Sequence, residues 1–186
     1  MSASISDARA RRGARGDARG GEVARVEDLV RREGEALLAY FARRVQPRED
    51  AADLLSETFT VLWRRASDLP DGEEASRMWA YGVARKVLAT HRRSQGRRTA
   101  LAEQLRAELM PDAQDGGRGV SAQAEHAADL VRQLSTPDKE IFMLLHWDGF
   151  TLAEIGQLLD IPAATVRSRY ARARTALKKN LEAAVE

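Results

Sequence analysis

Residues 85–98 read RKVLATHRRSQGRR and hold Arg85, Lys86, Arg92, Arg93, Arg97 and Arg98 with no acidic residue among them. Residues 163–179 hold Arg167, Arg169, Arg172, Arg174, Lys178 and Lys179, again without an acid. Blocks of fixed positive charge attract the phosphate backbone of nucleic acid, and the arginine fork can also read the edge of guanine. Negative charge is gathered elsewhere: Glu27, Asp28, Glu33, Glu35, Glu49, Asp50, Asp53 and Glu57 crowd one early stretch. The formal net charge of +2 hides this segregation. One basic block could be no more than a solvated helix face. Two blocks, one of them inside a helix-turn-helix pattern, favour a nucleic-acid partner.

Other chemistries have little to work with. There is no cysteine, so disulfides and thiolate metal sites are excluded and a reducing cytoplasm fits. The histidines, His91, His126 and His146, lack metal-ligand spacing such as HExxH, and no Gly-rich phosphate loop is visible. Neither an enzyme nor a cofactor or metal is expected. No apolar run approaches the roughly 18 residues that cross a bilayer, and the N-terminus has no apolar signal core. A cytoplasmic protein without membrane insertion is the expectation.

The elements that must carry the charges are helical. Apolar residues make up 44% and aromatics only 5%, a balance that suits helical bundles better than sheets. Residues 1–22 are Gly, Ala, Ser and Arg with almost nothing to bury, which predicts a disordered basic tail. From residue 23, Val26, Leu29, Val30, Leu37, Leu38, Phe41 and Val45 recur at helical spacing up to Pro47. A second helix over about 48–67 would bury Leu54, Leu55, Phe59, Leu62 and Trp63. A loop over 68–76 follows, marked by Pro70, Asp71 and Gly72. A third helix over about 75–94 would turn Met78, Trp79, Val83, Val87 and Leu88 inward. Glycines and Pro111 mark 99–123 as a linker, with a short helix possible at 99–109. Helices at about 124–134, 137–147, 151–159 and 163–183 complete the chain.

Residues 151–174 have the pattern of a helix-turn-helix. Thr151 and Glu154 form a capping-box pair, and Leu152, Ile155, Leu158 and Leu159 make one apolar face. Asp160 stands where a tight turn needs a residue tolerant of left-handed geometry, and Pro162 presets entry to the next helix. There Val166, Tyr170, Ala173 and Leu177 face inward, leaving Arg167, Ser168, Ala171 and Arg172 opposite them. A recognition helix needs that division, since its N-terminal half enters the major groove.

The stretch from LVRQLSTPDKE to ARARTALKK, with Ile161-Pro162 and Thr165-Val166-Arg167-Ser168-Arg169 at its centre, resembles region 4 of bacterial extracytoplasmic-function sigma factors. Asp53-Leu54-Leu55-Ser56-Glu57-Thr58-Phe59 is similar to region 2.2 of that family. Arg77-Met78-Trp79-Ala80-Tyr81-Gly82-Val83-Ala84-Arg85 is similar to regions 2.3 and 2.4. Lys86 and Thr90 stand where the family usually carries Asn and Asp, Ser56 where Gln is common, and Asp160 where Gly is common.

The resemblance implies an all-α fold of two small helical domains joined by a flexible linker. The first, 23–98, would be a three-helix region 2 bundle, and the second, 124–186, a region 4 helix-turn-helix. It implies an alternative sigma factor that binds core RNA polymerase through its clamp helices and flap. Such a factor directs polymerase to specific promoters, helps open the DNA and is held by an anti-sigma factor. Asp53, Ser56 and Glu57 would meet polymerase, the two acids sharing a helix face one turn apart. Tyr81, Arg85, Lys86, Thr90, Arg92 and Arg93 would face the minus-ten element, with loop 68–76 holding an unstacked base. The family uses the region around Trp79 for melting, whereas an inward Trp is more often core, and the core is favoured for it. Arg167, Ser168 and Arg172 would read bases of the minus-thirty-five element. Thr165, Arg169, Arg174 and Lys178 would meet its phosphates. The competing reading is a stand-alone helix-turn-helix regulator that binds DNA without polymerase.

Overall fold

The apolar spacing of the early chain is realised as helix. The computed structural model describes the backbone of residues 3–109 and 134–183 and the side chains of 20–98 and 134–179. Regular structure among the described residues is entirely helical. The chain divides into two units, Met1–Glu103 and Gln104–Glu186.

The first unit contains α1 (Ala3–Ala42), α2 (Asp50–Arg64), a single 3-10 turn (Ala66–Asp68) and most of α3 (Glu73–Leu109). Val26, Leu29, Leu37, Phe41, Leu54, Leu62, Val83, Val87 and Leu88 are buried, as their spacing predicts. Each fully buried large aliphatic contributes about 1.5–3 kcal/mol relative to an exposed one. Tyr40 packs edge-on to Phe41 and to Tyr81, with ring centroids 5.3 and 5.5 Å apart. Two expectations of burial fail: Leu38 and Trp63 are each 39% exposed. Leu38 adjoins Leu37, and a helix turns about 100° between neighbours, so only one of the pair can point fully inward. Trp63 leans edge-on against half-buried Phe59 at the rim of the bundle.

Helix boundaries also differ from the sequence expectation. The backbone is helical from Ala3, where a disordered tail is predicted over 1–22. Extending a helix already anchored by packing avoids the nucleation cost, and Ala and Arg are strong helix formers. Likewise α3 runs through Gly96 to Leu109, into the segment predicted as a linker from residue 99. A helical Gly costs only about 1 kcal/mol, and no proline intervenes before residue 111. Residues 110–123 of that linker, and the helix expected at 124–134 up to residue 133, lie outside the described residues.

The second unit carries α4 (Thr136–His146), α5 (Leu152–Leu159) and α6 (Ala163–Ala183). Ile141, Leu144, Phe150, Ile155, Leu158, Val166 and Ala173 form its core. On its surface Phe142, His146 and Tyr170 cluster, and the Tyr170 hydroxyl lies 3.1 Å from His146 Nε2. Trp147 beside them is half exposed.

The start of α5 is set by the capping box read from sequence. Thr151 Oγ1 accepts from the Glu154 amide at 3.3 Å, and Glu154 Oε2 accepts from the Thr151 amide at 2.6 Å. Thr151→Ala removes one arm, at a cost of about 1 kcal/mol. The expected result is a drop of about 5 °C in the thermal midpoint of this unit, followed by circular dichroism of the full chain.

Candidate nucleic-acid interface

The turn of the helix-turn-helix explains how α6 is presented. Asp160 adopts φ 56° and ψ 48°, the left-handed geometry that its position requires. Its amide donates to the Gln157 carbonyl at 3.3 Å, and the Ile161 amide donates to the Gly156 carbonyl at 3.0 Å. This pair of bonds closes α5 as a Schellman motif and satisfies carbonyls left open at the helix end. The Pro162 carbonyl then accepts from the Thr165 and Val166 amides, which starts α6.

Gly156 makes the tight approach possible. A Cβ there would lie 3.0 Å from the Ile161 carbonyl oxygen and 3.5 Å from Ala163 Cα. The sequence reading passed over this residue. Its signal was a glycine inside an apolar helix, which helix propensity alone disfavours.

With Val166 and Ala173 in the core, α6 turns one continuous face outward. Arg167, Ser168, Ala171, Arg172, Arg174, Thr175 and Lys178 are all exposed on it. Ser168 Oγ donates to the Thr165 carbonyl at 3.0 Å. No carboxylate pairs with Arg167, Arg172 or Arg174 among the described residues. Thr165 and Arg169 sit on the flank and are half-buried. Arg169, expected at a phosphate, also has a partner within the unit. Its Nη1 stands 3.5 Å from Asp138 Oδ1 on α4, and Ser135 Oγ donates to the other oxygen of that carboxylate at 2.7 Å. The guanidinium is drawn back onto the unit because the Asp138 carboxylate is mostly buried and needs a counter-charge.

In the first unit, α3 presents a second basic stripe. Lys86, Thr90, Arg93 and Arg97 recur at three-and-four spacing and are exposed. Thr90 Oγ1 donates to the Lys86 carbonyl at 3.0 Å and accepts from Arg93 Nη2 at 3.1 Å. Arg97 continues the stripe one turn beyond Arg93. Arg85 is half-buried beside it. Arg92 reaches sideways, its Nη2 donating to the Arg44 carbonyl just past the end of α1 at 3.3 Å.

Tyr81 is the clear correction. Expected on the DNA-facing side, it is 1% exposed, packed on Tyr40 with the Arg77 guanidinium 5.6 Å from its ring. The buried face of α3 takes in Ala80, Tyr81, Val83, Ala84, Val87 and Leu88, which is wider than a one-sided amphipathic stripe. Trp79, read as core, is half-buried.

Asp53, Ser56 and Glu57 lie together on the outer face of α2, all exposed. Ser56 Oγ donates to the Ala52 carbonyl at 2.9 Å, so its hydroxyl serves its own helix. Exposed Trp63 continues the same face toward the C-terminal end of α2. Among the described residues no helix is long and apolar enough to cross a membrane.

Comparison with known proteins agrees with this arrangement. Residues 29–98 match the family model for Sigma-70 region 2, and residues 127–177 that for Sigma-70, region 4. An RNA polymerase sigma-E factor of Streptomyces avermitilis is 30% identical over 163 residues, which span 87% of this chain and 88% of that protein. The ECF RNA polymerase sigma factor SigC of Mycobacterium tuberculosis is 31% identical over 134 residues, 71% of this chain and 70% of that one. Among solved structures, the sigma factor RpoE from Bartonella quintana, in complex with the anti-sigma factor NepR, shares the fold. Its TM-score is 0.65 at 20% identity, over 84% of this chain and 96% of that one. Two sigma-70 regions in order, and relatives matched along most of their length, leave the stand-alone regulator without support. The chain belongs to the sigma-70 family, among its extracytoplasmic-function members, and directs RNA polymerase to promoters.

Proposed function

We propose that this sigma factor divides its work between three surfaces. The outward face of α6 enters the major groove of the minus-thirty-five element, with Arg167, Ser168 and Arg172 at base edges. Arg174, Lys178 and Thr165 lie against phosphates. The α3 stripe of Lys86, Thr90, Arg93 and Arg97 follows the minus-ten DNA, flanked by Arg85 and Arg92. The α2 face of Asp53 and Glu57 docks on the clamp helices of core polymerase. The observation that carries this reading is the presence of arginines without carboxylate partners, among the described residues, on the exposed second helix of a helix-turn-helix. Such charges gain little from the fold and are available to DNA.

The protein acts as a regulatory subunit rather than as a catalyst, in the cytoplasm where polymerase works. An anti-sigma factor restrains it until a signal arrives. The structural neighbour RpoE, captured with the anti-sigma factor NepR, supports that part.

Transcription in vitro with core polymerase on a genomic template library tests the whole reading. Discrete start sites with shared upstream elements are expected. Specific gel shifts by the isolated protein, with no response to added core, would count against it. The docking surface has its own test. Asp53→Ala with Glu57→Ala is expected to weaken core affinity by about threefold to tenfold, since exposed charges contribute modestly and in a salt-dependent way. Titration of labelled protein with core at two salt concentrations measures it, and unchanged affinity at low salt would sink the assignment.

A further inference from the structure

Arg25 lies on α1 next to Val26, which with Leu29 is fully buried, so its backbone is held rigidly. Its guanidinium reaches across to the segment joining the 3-10 turn to α3. Nη2 donates to Asp71 Oδ1 at 2.8 Å and to the Pro70 carbonyl at 2.9 Å, and the Leu69 carbonyl lies at 3.3 Å. That nitrogen carries only two hydrogens, so the shorter contacts take them and the Leu69 oxygen shares.

The loop is pinned at its ends but not in its middle. Leu69 buries its side chain in the core, and the Gly72 carbonyl accepts the Ser76 amide at 3.0 Å as α3 begins. Gly72 holds φ at +87°, a turn that glycine makes without strain. A cleft of about 180 Å³ lies between α1 and the loop, so apolar packing does not settle the loop's position there. The carbonyls of Leu69 and Pro70 both point at one cation. Without it their oxygens would repel, and water would solvate each separately. The contact is weak as a source of global stability, because the Arg25 side chain is 46% exposed and Asp71 is 99% exposed. Its effect is on position.

We propose that Arg25 is a positioning residue for promoter opening: it holds the loop Leu69–Gly72 in the conformation that meets the separated minus-ten strand, without touching DNA itself. The inference rests on the proposed minus-ten role of the first unit and on the family resemblance, which gives loop 68–76 the unstacked base.

The test uses holoenzyme made with full-length variants on templates randomised across the minus-ten element. Pro70→Gly perturbs the loop directly and is expected to flatten the preference profile. Arg25→Ala is expected to flatten the same positions, by about threefold to tenfold in the ratio of best to median sequence, as for loss of one or two charge-assisted bonds. Core affinity and thermal midpoint should stay at the parent values. Arg25→Lys keeps a cationic nitrogen with three donors on a slightly shorter side chain, and should restore part of the profile lost in Arg25→Ala. Asp71→Asn retains both carbonyl contacts and should have a smaller effect. If Pro70→Gly changes the profile and Arg25→Ala does not, the positioning role is overturned while loop recognition stands. An unchanged profile in Pro70→Gly would overturn loop recognition and remove the basis of the inference.

Discussion

Arg167→Ala is expected to lower transcription from promoters that depend on the minus-thirty-five element by about fivefold to a hundredfold, while affinity for core polymerase stays the same. The range follows from one bidentate arginine–guanine contact, which discriminates by about 1–3 kcal/mol. The residue is in the N-terminal half of α6, is exposed, and has no carboxylate partner among the described residues. Its removal therefore leaves no buried charge behind, and the fold should not register the change. Paired templates, one with a scrambled minus-thirty-five element, measure the effect. A similar loss on both templates, or a fall in core binding by pull-down, would refute the base-reading role. Arg169→Ala makes an instructive contrast. Because Arg169 pairs with Asp138, its loss should lower the stability of the second unit as well as its activity.

Gly156→Val is expected to lower the thermal midpoint of the second unit by about 5–15 °C and to abolish minus-thirty-five dependence, with core binding through the first unit retained. The added Cβ would meet backbone at 3.0 Å, the Ile161 carbonyl oxygen, with Ala163 Cα and N each at 3.5 Å. Backbone cannot rotate aside as a side chain can, so the turn and the first residues of α6 must shift. Overpacking of this kind costs about 1–3 kcal/mol, and valine offers little helix propensity in return. Hydrogen exchange across residues 152–177 would locate the damage. Parent-like protection there would show that the close approach does not control how α6 is presented.

The two effects illustrate different kinds of legibility. Arg167 was readable because an amphipathic helix sorts its residues by a fixed period, and Val166, Tyr170, Ala173 and Leu177 mark the inner side. The capping box at Thr151 and the left-handed Asp160 were readable for a related reason: their hydrogen bonds join residues within five positions of each other. Tyr81 was misplaced because its helix is buried over a wide arc, and that width depends on Tyr40, forty-one positions earlier. Trp63 was assigned to the core by type, but the bundle's rim left it exposed. Asp138 carries no local signal of its importance, and Gly156 only that of a glycine inside an apolar helix. Each matters through an atom on another element.

The sequence by itself determined the helical class, the family, the two basic faces and the turn that aims one of them, because all of these rest on local spacing and short-range bonds. Only the tertiary structure decided that Tyr81 packs inward, that Arg169 answers Asp138, that α3 continues to Leu109, and that Arg25 grips a loop more than forty residues away. Those outcomes depend on which distant groups compete for the same space, hydrogen bond or charge, and no short window of sequence contains both partners.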